Sequence, residues 1–266
     1  MLTKLLKYEW KTTARILLPV GGGVLAFTIV TGMANAVLGS QQDLPGLIEF
    51  LQAALNFIDV LALVFVLGAC VFVNVQRFYK LLGEQGYLML SLPVPTWKHI
   101  TAKLISACAW SAVCSLYLLL CNTLLAGGFS TSFSWRMPVS RITTTDVTAW
   151  LFLAMLMVAL VVGVYLDFYL ACAIGGQFGQ QRLLASIVAY FVLGFLEQIL
   201  STVVLILLVF GSAQLDSLWI VSFIHSLNSF WGMVAVLSGI FLLLVLVDAV
   251  KWAVTQWLMT RRLNLV

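Results

Sequence analysis

The sequence predicts an all-α integral membrane protein with six transmembrane helices, and three observations carry that expectation. The 266 residues are 62% hydrophobic and only 9% charged, against about 25% charged in an ordinary soluble domain. Six windows, roughly 16–39, 50–74, 100–128, 147–174, 183–211 and 230–258, are largely apolar over at least the ~20 residues that a spanning helix needs. Of the 14 Lys and Arg residues, all but Arg136 and Arg141 fall on one side of that layout. Cytoplasmic loops hold an excess of Lys and Arg, so the expected location is the plasma membrane, with both termini in the cytoplasm.

Helices are the natural spanning structure because backbone groups in lipid must bond internally. The polar or turn-rich segments SQQDLPG, 77–98, FSTSFSWRMPVSRITTTD, GGQFGQQR and SAQLDS separate the windows. No long linker or soluble domain interrupts them, so residues 1–266 form one membrane domain. In the fifth region, GSAQLDSLWIVSFIHSLNSF is amphipathic, and a re-entrant or interfacial segment within 200–228 fits it as well as a plain span. Most of the nine Trp residues lie near the window edges, where an aromatic belt sits.

Ahead of the first window, Lys4, Lys7, Lys11 and Arg15 recur at spacings of three, four and four and share one helical face. Leu2, Leu5, Leu6, Trp10, Ile16 and Leu17 take the other. This pattern predicts an interfacial amphipathic helix over 1–15; a simple anchor is the plainer reading. Glu9 lies in the middle of the apolar face. A carboxylate there is costly unless paired, so it calls for a cation or amide from the 74–103 stretch, with Arg77 and Lys80 as first candidates.

That stretch, NVQRFYKLLGEQGYLMLSLPVPTWKHITAKLI, is the most specific in the chain. Span two is expected to end near Gln76, with a short helical piece across Arg77–Leu82. Gly83, Gly86, Pro93 and Pro95 punctuate the remainder, up to the start of span three. Tyr87, Leu88, Met89 and Leu90 would face water unless covered, and an apolar patch rimmed by Arg, Lys and Glu marks a protein contact.

KLLKYEWK at the start, RFYKLLGEQGYLMLSLPV with Lys103 behind it, and the RRLNLV ending resemble permeases of the type-2 ABC transporter class. The similarity is greatest to the short six-span permeases of Gram-positive peptide and antimicrobial exporters. It covers the whole chain in layout and is carried by some forty residues, with no single motif as specific as a nucleotide-binding loop. The resemblance implies a permease that dimerises with a second copy or a homologue. It also implies a separate ABC ATPase subunit that binds ATP and Mg and docks a cytoplasmic coupling helix lying between spans two and three. That role would fall on Tyr79, Lys80, Leu81, Leu82, Glu84, Gln85, Tyr87, Leu88 and Met89. A second contact would come from the Gly175–Arg182 loop, through Gln177, Phe178 and Arg182. The cargo implied is a hydrophobic or amphipathic peptide, moved for toxin or antimicrobial export or for immunity.

The residues agree on one further point. No G-x-x-x-x-G-K-[ST] phosphate cradle occurs, so the chain has no such ATP site of its own and no cofactor is expected on it. Among intramembrane acids, Asp248 has Lys251 three residues on, a helix-surface neighbour and its expected partner. For Asp59, Asp167 and Glu197 three readings stay open: a polar pathway, bonds to a facing helix, or a proton relay.

An enzyme reading fails for want of chemistry. His99 and His225 are the only histidines, and neither has a Cys, His or carboxylate at ligand spacing, so no catalytic or metal residue is assigned. Cys70, Cys108, Cys114, Cys121 and Cys172 lie in apolar segments without a CxxC pair and read as small hydrophobes. The basic residues sit at membrane edges, where anionic lipid headgroups rather than nucleic acid would meet them. The competing function is a secondary transporter or channel without an ATPase partner; its sign would be repeated halves with broken helices, and no clear repeat occurs.

Overall fold

A computed structural model describes residues 2–38, 46–82, 95–125, 144–178, 181–214 and 230–261. Six helices account for nearly all of them: α1 (Leu2–Leu38), α2 (Gly46–Leu82), α3 (Thr96–Leu125), α4 (Thr144–Gly175), α5 (Arg182–Gln214) and α6 (Phe230–Arg261). There is no strand among the described residues. Each helix is long and apolar enough to cross a membrane, which is the architecture of a multi-pass membrane protein.

Two expected boundaries are corrected. α1 is one 37-residue helix, about 55 Å long at 1.5 Å per residue, so the 1–15 segment is not a separate element. Pro19 lies inside α1 without ending it. α2 likewise runs unbroken to Leu82, so Arg77–Leu82 is helical as expected but as the end of α2 and not as a separate piece. The sequence is helix-compatible throughout this stretch, and the first strong breaker is Gly83. α3 begins directly after Pro95, whose carbonyl accepts a bond from the Lys98 amide at 3.0 Å. The expected re-entrant segment falls largely on residues 215–229, outside the described ones; α5 itself continues to Gln214.

The chain forms two compact units. The first holds Met1–Arg77 and Thr101–Val139, that is α1, most of α2 and most of α3. Its core joins Leu17, Cys70, Val73, Trp110 and Cys114, with Trp10 stacked on Trp110 at 4.7 Å between ring centroids. The inward row of α1 is Glu9, Thr13 and Leu17, spaced four residues apart, while Lys7, Lys11 and Arg15 face outward. The opposite face is not uniformly covered, since Ile16 and Leu18 are exposed.

Polar bonds tie α1 to α2 and α3 further along. Thr28 donates to Asp59 at 2.9 Å, Asn35 donates to Asn56 at 2.8 Å, and Gln52 donates to Asn35 at 2.9 Å. The Tyr117 hydroxyl donates to the Gly21 carbonyl at 2.8 Å. At Gly32 an added Cβ would lie 2.6 Å from the Leu124 carbonyl oxygen, a backbone atom that cannot rotate away. Gly32→Ala should therefore push α1 off α3 and cost about 1–3 kcal/mol. Gly22→Ala, where nothing lies within 4 Å, is the control; unfolding in detergent micelles compares them.

The second unit holds Phe78–Ile100 and Ser140–Val266. α4 is its centre, packing against both α5 and α6. The Phe78 ring, from the last turn of α2, stacks on Tyr169 at 3.9 Å, and Phe168 stacks on Tyr190 at 4.5 Å. A Cβ at Gly175 would collide with Ser186 and with the Arg182 carbonyl, so the close approach of α4 and α5 at the 175–182 turn needs glycine there. Within this unit α5 and α6 leave most of their apolar surface uncovered.

Candidate functional site

Two charge groups stand out, a buried one in the first unit and a half-buried one in the second. In the first unit Glu9 is buried and its carboxylate meets two cations: Lys103 Nζ lies 2.9 Å from Oε1 and Arg77 Nη1 lies 3.2 Å from Oε2. Arg77 also donates to the Glu9 carbonyl at 2.8 Å and to the Thr13 hydroxyl. Thr13 in turn donates to the same Glu9 carbonyl at 2.9 Å. One turn of α1 thus offers three oxygen groups to two cations: a carboxylate, a carbonyl and a hydroxyl. Buried charges persist only when so paired.

The demand that Glu9 be paired was readable on its helix face, and Arg77 is one of the partners expected. The other is Lys103 rather than Lys80, which is exposed. Lys103 arrives on α3, and nothing in local spacing says which face of α3 meets α1. In sequence, Arg77 and Lys103 bracket residues 78–100 on both sides, so Glu9 holds the two stems of that segment. Of the other residues expected on the interfacial helix, Trp10 is half-exposed on Trp110; the Lys4 side chain lies outside the described residues.

The residues given a docking role by resemblance divide in three. Glu84, Gln85, Tyr87, Leu88 and Met89 lie outside the described residues. Leu81 and Leu82 are buried in the second unit, so they support α2 from inside and are not open to a partner. Tyr79 is half-buried and Lys80 exposed. In the second loop Phe178 is exposed, and Gln177 and Arg182 are half-buried. The two segments do converge: Leu82 lies 3.8 Å from where a Cβ on Gly176 would stand. The end of α2 and the end of α4 therefore share one end of the second unit.

The second charge group extends the expected Asp248–Lys251 pair, whose charges still act on each other. Lys251 Nζ lies 2.6 Å from both Asp167 Oδ1 and Glu197 Oε1, so the lysine of α6 bonds to α4 and α5 instead of to its own helix. The i,i+3 spacing made Asp248 a surface neighbour of Lys251, but carboxylates on two facing helices take the ammonium. Asp248 turns toward α4, with Oδ1 3.0 Å from where a Cβ on Gly163 would stand. Asp59 bonds Thr28, and its Oδ2 has no hydrogen-bond partner among the described residues. Helix-to-helix bonding thus accounts for the observed contacts of all three acids whose role the sequence left open.

Among the described residues there is no group of three His, Cys, Asp or Glu side chains fit to hold a metal ion. His99 is buried; His225 lies outside the described residues. All five cysteines are free, and four of them are buried. Comparison with protein families, curated proteins and solved structures finds no match to this chain.

Proposed function

We propose that this chain is the membrane-spanning permease subunit of an ATP-driven ABC exporter. It would sit in the plasma membrane with both termini in the cytoplasm and pair with a second permease copy or a homologue. Each permease would couple to one ATPase subunit that supplies ATP and Mg. The observation that carries the reading is the Glu9 group, which clasps Arg77 and Lys103 at the two stems of the 78–100 segment. A segment fixed at both roots transmits force; a free loop does not. The convergence of Leu82 with Gly176 supports a shared side for the two loops that an ATPase would touch, and the charge asymmetry supports the cytoplasm as that side. The cargo favoured is a hydrophobic or amphipathic peptide, by resemblance. Nucleotide binding on the partner would bias the helices between inward-open and outward-open arrangements.

Purification of the tagged chain from its native cell tests this. An ATPase bearing a P-loop should accompany it, and cross-links from a cysteine at Lys80 should land on that ATPase. A cysteine at Gln85 should react with an impermeant maleimide in inverted vesicles and stay unlabelled in intact cells. Labelling from outside, or full transport by the purified chain alone, would overturn the reading. The charge group around Lys251 is the one observation that favours a secondary transporter, and uptake driven by a proton gradient without ATP would select it.

A further inference from the structure

Asp59 has no counter-charge in its unit. It is 0% exposed, and among the described residues no Lys or Arg stands within ion-pair distance of it. Glu9, in the same unit, has two such cations. A carboxylate inside a membrane helix is costly, and one without a partner is a candidate for function.

Hydrogen-bond donors fall short as well. The Thr28 hydroxyl of α1 reaches Asp59 Oδ1 at 2.9 Å. The same hydroxyl lies 3.0 Å from the Val24 carbonyl oxygen, and it has a single proton to give. Two acceptors therefore compete for that proton. Whenever Val24 holds it, the Asp59 and Thr28 oxygens face each other with no hydrogen between them. The second carboxylate oxygen, Oδ2, is buried and has no hydrogen-bond partner among the described residues. Tyr117 of α3 lies within electrostatic reach of Asp59, but its hydroxyl donates to the Gly21 carbonyl at 2.8 Å. The polar atoms gathered here are thus oxygens with lone pairs to offer. A buried oxygen left without a donor calls for an ion or a water, and an oxygen-only setting suits a hard cation. One carboxylate balances one positive charge. Thr28, like Asp59, is 0% exposed, and packing this close favours a small ion.

We propose that Asp59 and Thr28, with the Tyr117 oxygen beside them, form a binding site for a sodium ion between α1, α2 and α3. The ion would take Asp59 Oδ2 and a lone pair of the Thr28 hydroxyl as ligands, and the Thr28 proton would then rest on Val24. Bound there, it supplies the positive charge that Asp59 lacks and ties α1 to α2. The inference does not rest on the exporter reading, so its test contains neither ATPase nor nucleotide. Radiolabelled sodium is titrated into the purified chain in phosphatidylcholine nanodiscs kept in choline chloride, with empty discs subtracted.

Saturable binding is expected, displaced by unlabelled sodium and not by further choline. Asp59→Asn should weaken it roughly tenfold or more, the scale of one lost bond to a charged group, and Thr28→Val should weaken it less. Ser115→Ala, at an exposed position of α3, should leave it unchanged. Melting in the same discs gives a second reading. Sodium should raise the melting temperature of the parent above its value in choline at equal ionic strength, as a ligand of the folded state does. Asp59→Asn should melt at the same temperature in both salts, since a neutral amide needs no counter-ion. Where Asp59→Asn does not give a monodisperse protein, Thr28→Val decides, and sodium affinity unchanged in it would overturn the proposal. So would sodium retention equal to that of empty discs, or binding that survives Asp59→Asn.

Discussion

Glu9→Gln will destabilise the chain by about 3–5 kcal/mol, the usual cost of removing one partner from a buried ion pair. The size reflects the charge left behind. Lys103 is buried and bonds Glu9 at 2.9 Å, so an amide in place of the carboxylate leaves an ammonium without a counter-charge. Arg77 suffers less, because it keeps the Glu9 carbonyl and the Thr13 hydroxyl. The two cations therefore separate in a double-mutant cycle. Lys103→Met added to Glu9→Gln should restore much of the stability, since an apolar side chain of similar length needs no partner. Arg77→Met added instead should restore little. Unfolding by denaturant in mixed micelles reads the parent, the three single variants and the two doubles. A Glu9→Gln loss below about 1 kcal/mol, the range of a surface pair, would show that the clasp holds nothing.

Lys251→Met carries the second large effect. Among the described residues it removes the only cation bonded to Asp167 and Glu197, and it leaves Asp248 beside them. Glu197 is partly exposed, which discounts its share, so the expected loss sits near the lower end of the buried-pair range, about 3 kcal/mol. Asp167→Asn with Glu197→Gln in the same chain should recover most of it, because neutral amides tolerate the loss of the ammonium. Melting of purified protein in detergent measures both, and equal melting of Lys251→Met and the parent would mean that α4, α5 and α6 do not depend on this lysine.

These two groups also show what the sequence disclosed and what it withheld. Helix number and approximate position were legible because about 20 apolar residues in lipid have few alternatives to helix. Gly83 and Pro95 marked the stretch that parts α2 from α3. That Glu9 required a cationic or amide partner was legible too, since it broke an otherwise apolar face. The identity of Lys103 was not, because it depends on how α3 turns toward α1. Lys251 shows the same limit more sharply. Its nearest acid in sequence is Asp248, and periodicity reports only neighbours on one helix. Asp167 and Glu197 reach it from helices that are apolar over most of their circumference, so no stripe announced which face meets which. The joining of α1 into one helix and of α2 through Leu82 was hidden for a different reason. Charged residues mark where a membrane ends, and a helix can continue well past that point.

The row formed by Thr28 with Asp59, Asn35 with Asn56 and Gln52 with Asn35 bears on how α1 and α2 can move. Each such bond between helices in lipid contributes only about 0.6 kcal/mol on average, so the row is no rigid weld. Its effect is on the shape of the motion. A partial slide of α1 along α2 would part the Asp59 carboxylate and the amides of Asn35, Gln52 and Asn56 from their partners together. Sliding of α1 along α2 therefore costs about 2 kcal/mol in all, a resistance that the three pairs lose together.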